Sequence, residues 1–261
     1  MDAFFERLDD ARFRATAMTR GPWSIDHQHA GPPSALLGSQ LAAQLGAGRI
    51  VRCTFEILQP IPITDLTVEV EVLRPGRNVT LGQATLSGPD GPVMLARAWR
   101  LRELAVDLPA DGAIGTDTTM RGVDDAERQP FFSVEWDEGY HVAMDIRFVE
   151  GRFDEHGDAK AWLRSTIDLI DDEPITPLQR LLVAADTGNG ISSRLHIREW
   201  LFVNTDLTVH VRDLPRGPWV GLDATTRFGP DGIGLATATI HAEQGPIGTA
   251  IQSLVVQPQR G

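Results

Sequence analysis

Two polar side chains stand where folding alone gives little reason for them. Gln252 ends the segment Gly245-Pro246-Ile247-Gly248-Thr249-Ala250-Ile251-Gln252. That segment repeats Gly91-Pro92-Val93-Met94-Leu95-Ala96-Arg97-Ala98 at a constant offset of 154 residues. The partner of Gln252 is Ala98, so the amide belongs to one copy only. Asp186 closes an apolar helical stretch that runs from Leu178 to Ala185, at the end where the helix macrodipole disfavours a carboxylate. Desolvation there would raise its pKa and make it a general base near neutrality. A glutamine amide both donates and accepts, and so can orient a water without ionising. The chemistry these types allow is activation of water. His27 and His29 flank a tight loop before a helix, where they could touch a ligand phosphate. Gly31 at that helix start offers N–H groups to an anion. Each residue also has a plainer reading: Asp186 as a helix terminus running into Thr187-Gly188-Asn189-Gly190, Gln252 as a solvent-facing strand residue, the histidines as packing groups.

The repeat sets the elements that must position these groups. Residues 4–17, with Phe4, Phe5, Leu8 and Phe13, read as a short helix or packed arm. A loop with two glycines and three prolines spans 21–33, and Pro32 and Pro33 suit the first turn of a helix. Leu36, Leu37, Leu41 and Leu45 make 34–45 a buried helix closed by Gly46. Strands follow at 53–58, 66–72, 79–86 and 93–101, alternating in the manner of an antiparallel meander. A polar, glycine-rich stretch, 106–130, separates the halves. The second half opens with strands at 140–148 and 159–167, then a helix from Pro177 to Asp186. Strands at 206–211, 219–227, 234–241 and 247–256 complete it. A helix apolar nearly all round needs cover on most sides, which a curved sheet wrapped about it supplies.

Composition narrows the function. The chain has 261 residues, 42% of them hydrophobic, enough for a substantial core. No apolar run approaches the roughly 20 residues of a membrane span, and the acidic opening lacks a signal pattern; no membrane partner is expected. A net charge of −12 opposes nucleic acid as a partner. The single cysteine, Cys53, forms no internal disulfide and fits a reducing cytoplasm. There is no Gly-x-Ser-x-Gly elbow and no phosphate-loop motif. One cysteine rules out a cysteine–histidine zinc site, and His196, His210 and His241 lack metal-ligand spacing. No metal or cofactor is expected.

Three segments carry a family resemblance: His27-Gln28-His29-Ala30-Gly31-Pro32-Pro33-Ser34-Ala35-Leu36-Leu37, Asn204-Thr205-Asp206-Leu207-Thr208-Val209-His210 and Gly248-Thr249-Ala250-Ile251-Gln252-Ser253-Leu254. In order, over roughly residues 20–258, they are similar to TesB-like (type II) acyl-CoA thioesterases. The resemblance implies an α+β double hot-dog: an N-terminal repeat at 1–105, a linker at 106–130, and a C-terminal repeat at 131–261 carrying the site. It implies hydrolysis of a fatty acyl-CoA to free acid and CoA. Water would be held by a helix carboxylate, a strand Thr, Ser or Asn, and a last-strand Gln. These fall on Asp186, on Asn204 with Thr205 as the alternate, and on Gln252. Neighbouring strand residues face opposite sides, so one residue of slippage exchanges Asn204 and Thr205. His29 and Gly31 are the candidate substrate contacts. A non-catalytic acyl-CoA or lipid-binding protein and a hot-dog enoyl-CoA hydratase remain alternatives. The tandem halves could pair internally and associate further as a homo-oligomer.

Overall fold

Strand pairing begins at the N-terminus. In the computed structural model, which describes residues 3–109, 120–129, 134 and 136–259, β1 (Ala3–Arg7) and β2 (Arg12–Ala15) form a hairpin. Asp9 Oδ1 accepts the Ala11 and Arg12 N–H groups across the turn. Phe13 and Ala15 are buried while Arg12 and Arg14 are exposed. Burial with period two, not helical spacing, governs this stretch. Of the two readings of 4–17, a short helix or a packed arm, the helix is therefore corrected to two strands.

The first half continues as α1 (Gly31–Gln44), β3 (Arg49–Ile57), β4 (Asp65–Arg74), β5 (Val79–Gly88) and β6 (Gly91–Leu101). Of the stretch expected as a linker, residues 110–119 and 130 lie outside the described residues. Its end supplies the short β7 (Glu127–Arg128), paired with β8 (Met144–Glu150). Residues 140–143, expected to begin that strand, instead form one helical turn, α2 (Tyr140–Ala143). Then come β9 (Ala159–Ser165), β10 (Asp168–Ile170), α3 (Pro177–Ala185) and α4 (Gly188–Ile191). The last five strands are β11 (Trp200–Asn204), β12 (Asp206–Val211), β13 (Val220–Phe228), β14 (Ile233–Ala242) and β15 (Gly245–Pro258). The matched Gly-Pro corners of β6 and β15 both need the left-handed region, at φ 113° for Gly91 and 121° for Gly245, which glycine enters without steric penalty.

Among the described residues the strands join into one fifteen-stranded sheet. Its two halves meet where β3 pairs antiparallel with β12, and Thr54 faces Thr208. Those positions are separated by the offset that relates the repeats, so equivalent strands meet about a local two-fold axis. Each half curls around one central helix: α1 packs on β3, β4, β5 and β6, and α3 on β9 and β13. The helices also pack on each other. A Cβ on Gly31 would sit 2.4 Å from the Val183 carbonyl oxygen, so only glycine permits that approach. Cys53 is buried at the seam, and burial pushes its thiol up to about 12; it is a small core residue with no reactive thiolate.

The two helix ends are closed differently. Buried Arg100 donates Nε to the Leu45 carbonyl at 3.0 Å and its remaining nitrogens to Gly76, Arg77 and Thr80. A cation at a helix C-terminus is favoured by the macrodipole. The second half places Gln252 and a carboxylate at the corresponding end.

Candidate active site

The capping box of α3 fixes where its far end falls. Thr176 accepts the Gln179 N–H, and Gln179 Oε1 accepts the Thr176 N–H, satisfying two orphan donors reciprocally. From there Leu181 to Ala185 are buried without interruption, and Asp186 is the C-cap, only 4% exposed. Its Oδ1 accepts from Asn204 Nδ2 at 2.9 Å and from Gln252 Nε2 at 3.0 Å. Its Oδ2 lies 3.2 Å from His29 Nδ1. The Ala30 and Gly31 amides at the start of α1 also stabilise the carboxylate. Burial outweighs all these donors and pushes the Asp186 pKa up to about 7. The anion held at the α1 N-terminus is thus a side chain of this protein, the role the sequence offered to a ligand phosphate at Gly31.

Asn204 reaches Asp186 because the strand breaks there. β15 pairs with β11 up to Asn204 opposite Leu254, then with β12 from Thr208 opposite Ile251. Thr205 occupies the break: its N–H goes to the Ser253 carbonyl, and its Oγ1 to Asp206 Oδ1 and the same carbonyl. Of the two alternates, then, Asn204 touches the carboxylate and Thr205 does not. Gln252, 2% exposed, sits behind Asp186. Its Nε2 also reaches the Asp186 main-chain oxygen at 3.2 Å, and its Oε1 accepts the Asn189 N–H at 3.3 Å. Both ends of the amide are therefore engaged within the protein.

His29 is stacked flat on Tyr140, with ring centres 3.7 Å apart and 3° between planes. Burial drives its pKa down to about 3, so the ring is neutral and its 3.2 Å approach to Asp186 is not an ion pair. The Gly31 N–H points at the same Nδ1 from 3.1 Å. Tyr140 donates its hydroxyl proton to the Val183 carbonyl at 2.9 Å and accepts from Thr187 Oγ1 at 2.7 Å. Sequence reasoning missed Tyr140. The available signal was its being the only tyrosine of the chain, directly after Gly139. Asn189 contributes through its backbone, which leaves no mark in a sequence.

These groups border a cavity of about 530 Å³. Asp186, Asn204, Thr205, His27 and His29 line its polar side, and Trp23, Ile57, Ile61, Leu201 and Phe202 its apolar side. Trp23 stands edge-on to Phe202, with centroids 4.9 Å apart. Neither Gln252 nor Gly31 reaches the cavity wall as a lining residue. A buried carboxylate on the wall of a largely apolar chamber is suited to deprotonating water beside a ligand with an apolar tail. Among the described residues no group of His, Cys, Asp or Glu is placed to hold a metal ion, and no helix is long and apolar enough to cross a membrane.

Comparison with known proteins adds the following. A family model described as the acyl-CoA thioesterase C-terminal domain matches residues 119–256, and its N-terminal companion matches 19–101. No curated protein matches in sequence. Among solved structures, a candidate thioesterase II from Thermobifida fusca superposes with a TM-score of 0.75 at 18% identity, over 97% of this chain and 95% of that one. A hot-dog-fold protein of unknown function from Alicyclobacillus acidocaldarius gives 0.74 at 13%, over 97% and 96%. The acyl-CoA thioesterase II TesB2 of Mycobacterium marinum gives 0.68 at 13%, over 98% and 96%. At such identities the superpositions establish the fold, an α+β double hot-dog.

Proposed function

The chain belongs to the TesB-like acyl-CoA thioesterase family, and from that premise we propose that it hydrolyses a fatty acyl-CoA to the free acid and CoA, using a water activated by Asp186. One observation carries this reading: a carboxylate with a pKa of about 7, gripped by Asn204 and Gln252, on the wall of a largely apolar chamber. The acyl chain lies along Trp23, Ile61 and Phe202. The attacking water sits on the cavity side of Asp186 and Asn204. Asp186 takes one proton from it as its oxygen bonds to the thioester carbonyl carbon. The tetrahedral intermediate then collapses, the C–S bond breaks, and the proton held by Asp186 passes to the departing thiolate. Gln252 acts from behind as a positioning residue, because its amide is spent on Asp186 and Asn189. Positioning and base catalysis of this kind each contribute several kcal/mol of barrier lowering.

The test is CoA release across acyl chain lengths by wild type, Asp186→Ala and Gln252→Ala. Turnover by wild type that is lost in the first and weakened in the second is the expected result. Wild-type rates unaffected by either change would remove the site. Tight acyl-CoA binding without CoA release would instead select a binding protein, and loss of enoyl-thioester absorbance without CoA release a hydratase.

A further inference from the structure

The C-terminal half carries the base, yet its nearest titratable neighbour comes from the other half. His29 belongs to the loop before α1, and its place is fixed on three sides. Its N–H donates to the Thr19 carbonyl at 2.7 Å, its ring lies on Tyr140, and its Nδ1 faces Asp186 Oδ2. We propose that His29 is a positioning residue for Asp186, holding Oδ2 through Nδ1 as a neutral ring whose tautomer follows the protonation of the carboxyl. This rests on the thioesterase reading above and assigns His29 to the base, not to the substrate.

The proton count supports the assignment. When Asp186 is ionised, the ring carries hydrogen on Nδ1 and donates it to Oδ2, and the Gly31 N–H, which bonds a bare Nδ1, serves the carboxylate instead. When Asp186 carries a proton on Oδ2, that proton points at Nδ1, which also accepts the Gly31 N–H, and the ring hydrogen resides on Nε2. One proton occupies the Nδ1–Oδ2 contact in either state, so neither state leaves two lone pairs facing each other. A lysine or arginine in the same place would hold the carboxylate far below neutrality and abolish it as a base. A neutral donor orients the carboxylate while leaving its affinity for a proton high. Stacking on Tyr140 fixes the plane of the ring. Among the described residues the titratable groups facing Asp186 are His29 and Tyr140. Asp206 turns its carboxylate to the Ser253 N–H.

The experiment compares wild type, His29→Leu and His29→Asn in CoA release as a function of pH. Leucine keeps the volume and removes the donor; asparagine places an N–H donor near the position of Nδ1. The expected result for His29→Leu is a fall in kcat of about 10-fold to 10²-fold with KM within about twofold, and an acid limb displaced to higher pH, because a carboxylate that loses a donor ionises less readily. His29→Asn should recover most of kcat and return the acid limb towards wild type. A raised KM with an unmoved acid limb would overturn the assignment in favour of substrate contact. So would His29→Asn no better than His29→Leu. Nitrogen NMR of the wild-type ring tests it without a variant: hydrogen should move between Nδ1 and Nε2 across the same pH range as the acid limb, and a tautomer constant through that range would overturn it. A wild type that releases no CoA would fail the thioesterase reading, whereas active wild type with unaltered His29→Leu fails only this one.

Discussion

Asp186 costs the protein stability once it is ionised. Its carboxyl is raised from 3.8 to about 7 by burial. The native state therefore binds the proton more tightly than the unfolded chain does. Stability from that proton is fully present below about pH 4 and is lost as pH rises through 7. Asp186→Asn should consequently be more stable than wild type at pH 8 by up to a few kcal/mol, and so unfold at higher temperature. The margin should vanish near pH 4, as read by thermal unfolding at both pH values. The same substitution should lower kcat by about 10²–10⁴-fold. In wild type, hydrolysis should rise with pH through about 7 as the base ionises, measured as the pH profile of kcat. His29 tilts the balance the other way. Its pKa falls to about 3 on burial, so its contribution is present above 6.5 and lost as pH falls through 3. Asp186 and Gln252 were legible in the sequence because one breaks helix electrostatics and the other occurs in only one repeat. Asn204 could not be separated from Thr205 there, since the choice depends on a strand break that alternation does not signal.

At the level of elements, the decisive contact is between the two central helices. The start of α1 brings the Ala30 and Gly31 amides to Asp186 only because Gly31 lets its backbone approach Val183. Gly31→Ala should force α1 and α3 apart, destabilising the fold by about 1–3 kcal/mol. It should lower kcat beyond the loss expected from stability alone, as checked by thermal unfolding and by turnover well below the transition. Both helices were visible in the sequence through their apolar composition and their leading prolines. The contact between them was not, because a glycine chosen for close approach looks the same as one chosen for a turn. The strands of the β1–β2 hairpin were not legible within the helix-or-packed-arm reading, since Phe4, Phe5, Leu8 and Phe13 match a loose helical spacing and the turn at Asp9 is seen only in the structure. β11 was missed for a related reason: Thr205 interrupts what would otherwise be one long strand with β12.

At the scale of the molecule, we propose that the segments 1–105 and 131–261 are structural repeats and not independent units. The sheet runs through the β3–β12 seam, β1 pairs with β10 across the halves, and His29 and Asp186 come from different halves. The fragment 131–261 expressed alone should have no CoA-releasing activity. Adding fragment 1–105 in trans should restore some of it if the seam re-forms, measured by CoA release and by co-elution of the two pieces. Activity in the isolated second fragment would contradict the composite site. The duplication itself was plain from the Gly-Pro corners, whereas sharing of the site between copies was not, because an offset between segments carries no information about which faces meet.

The pairing of Thr54 with Thr208 has one more consequence. In an assembly of two identical subunits every substitution occurs twice, so a buried acid gained at one helix end would be imposed on both. Here the tandem chain escapes that constraint. Arg100 seals the C-terminal end of the first helix, while the C-terminal end of the second is left to Asp186 and Gln252. On the proposed reading each polypeptide is thereby limited to a single turnover centre, and half of the duplicated framework would serve as the wall and proton partner of the other.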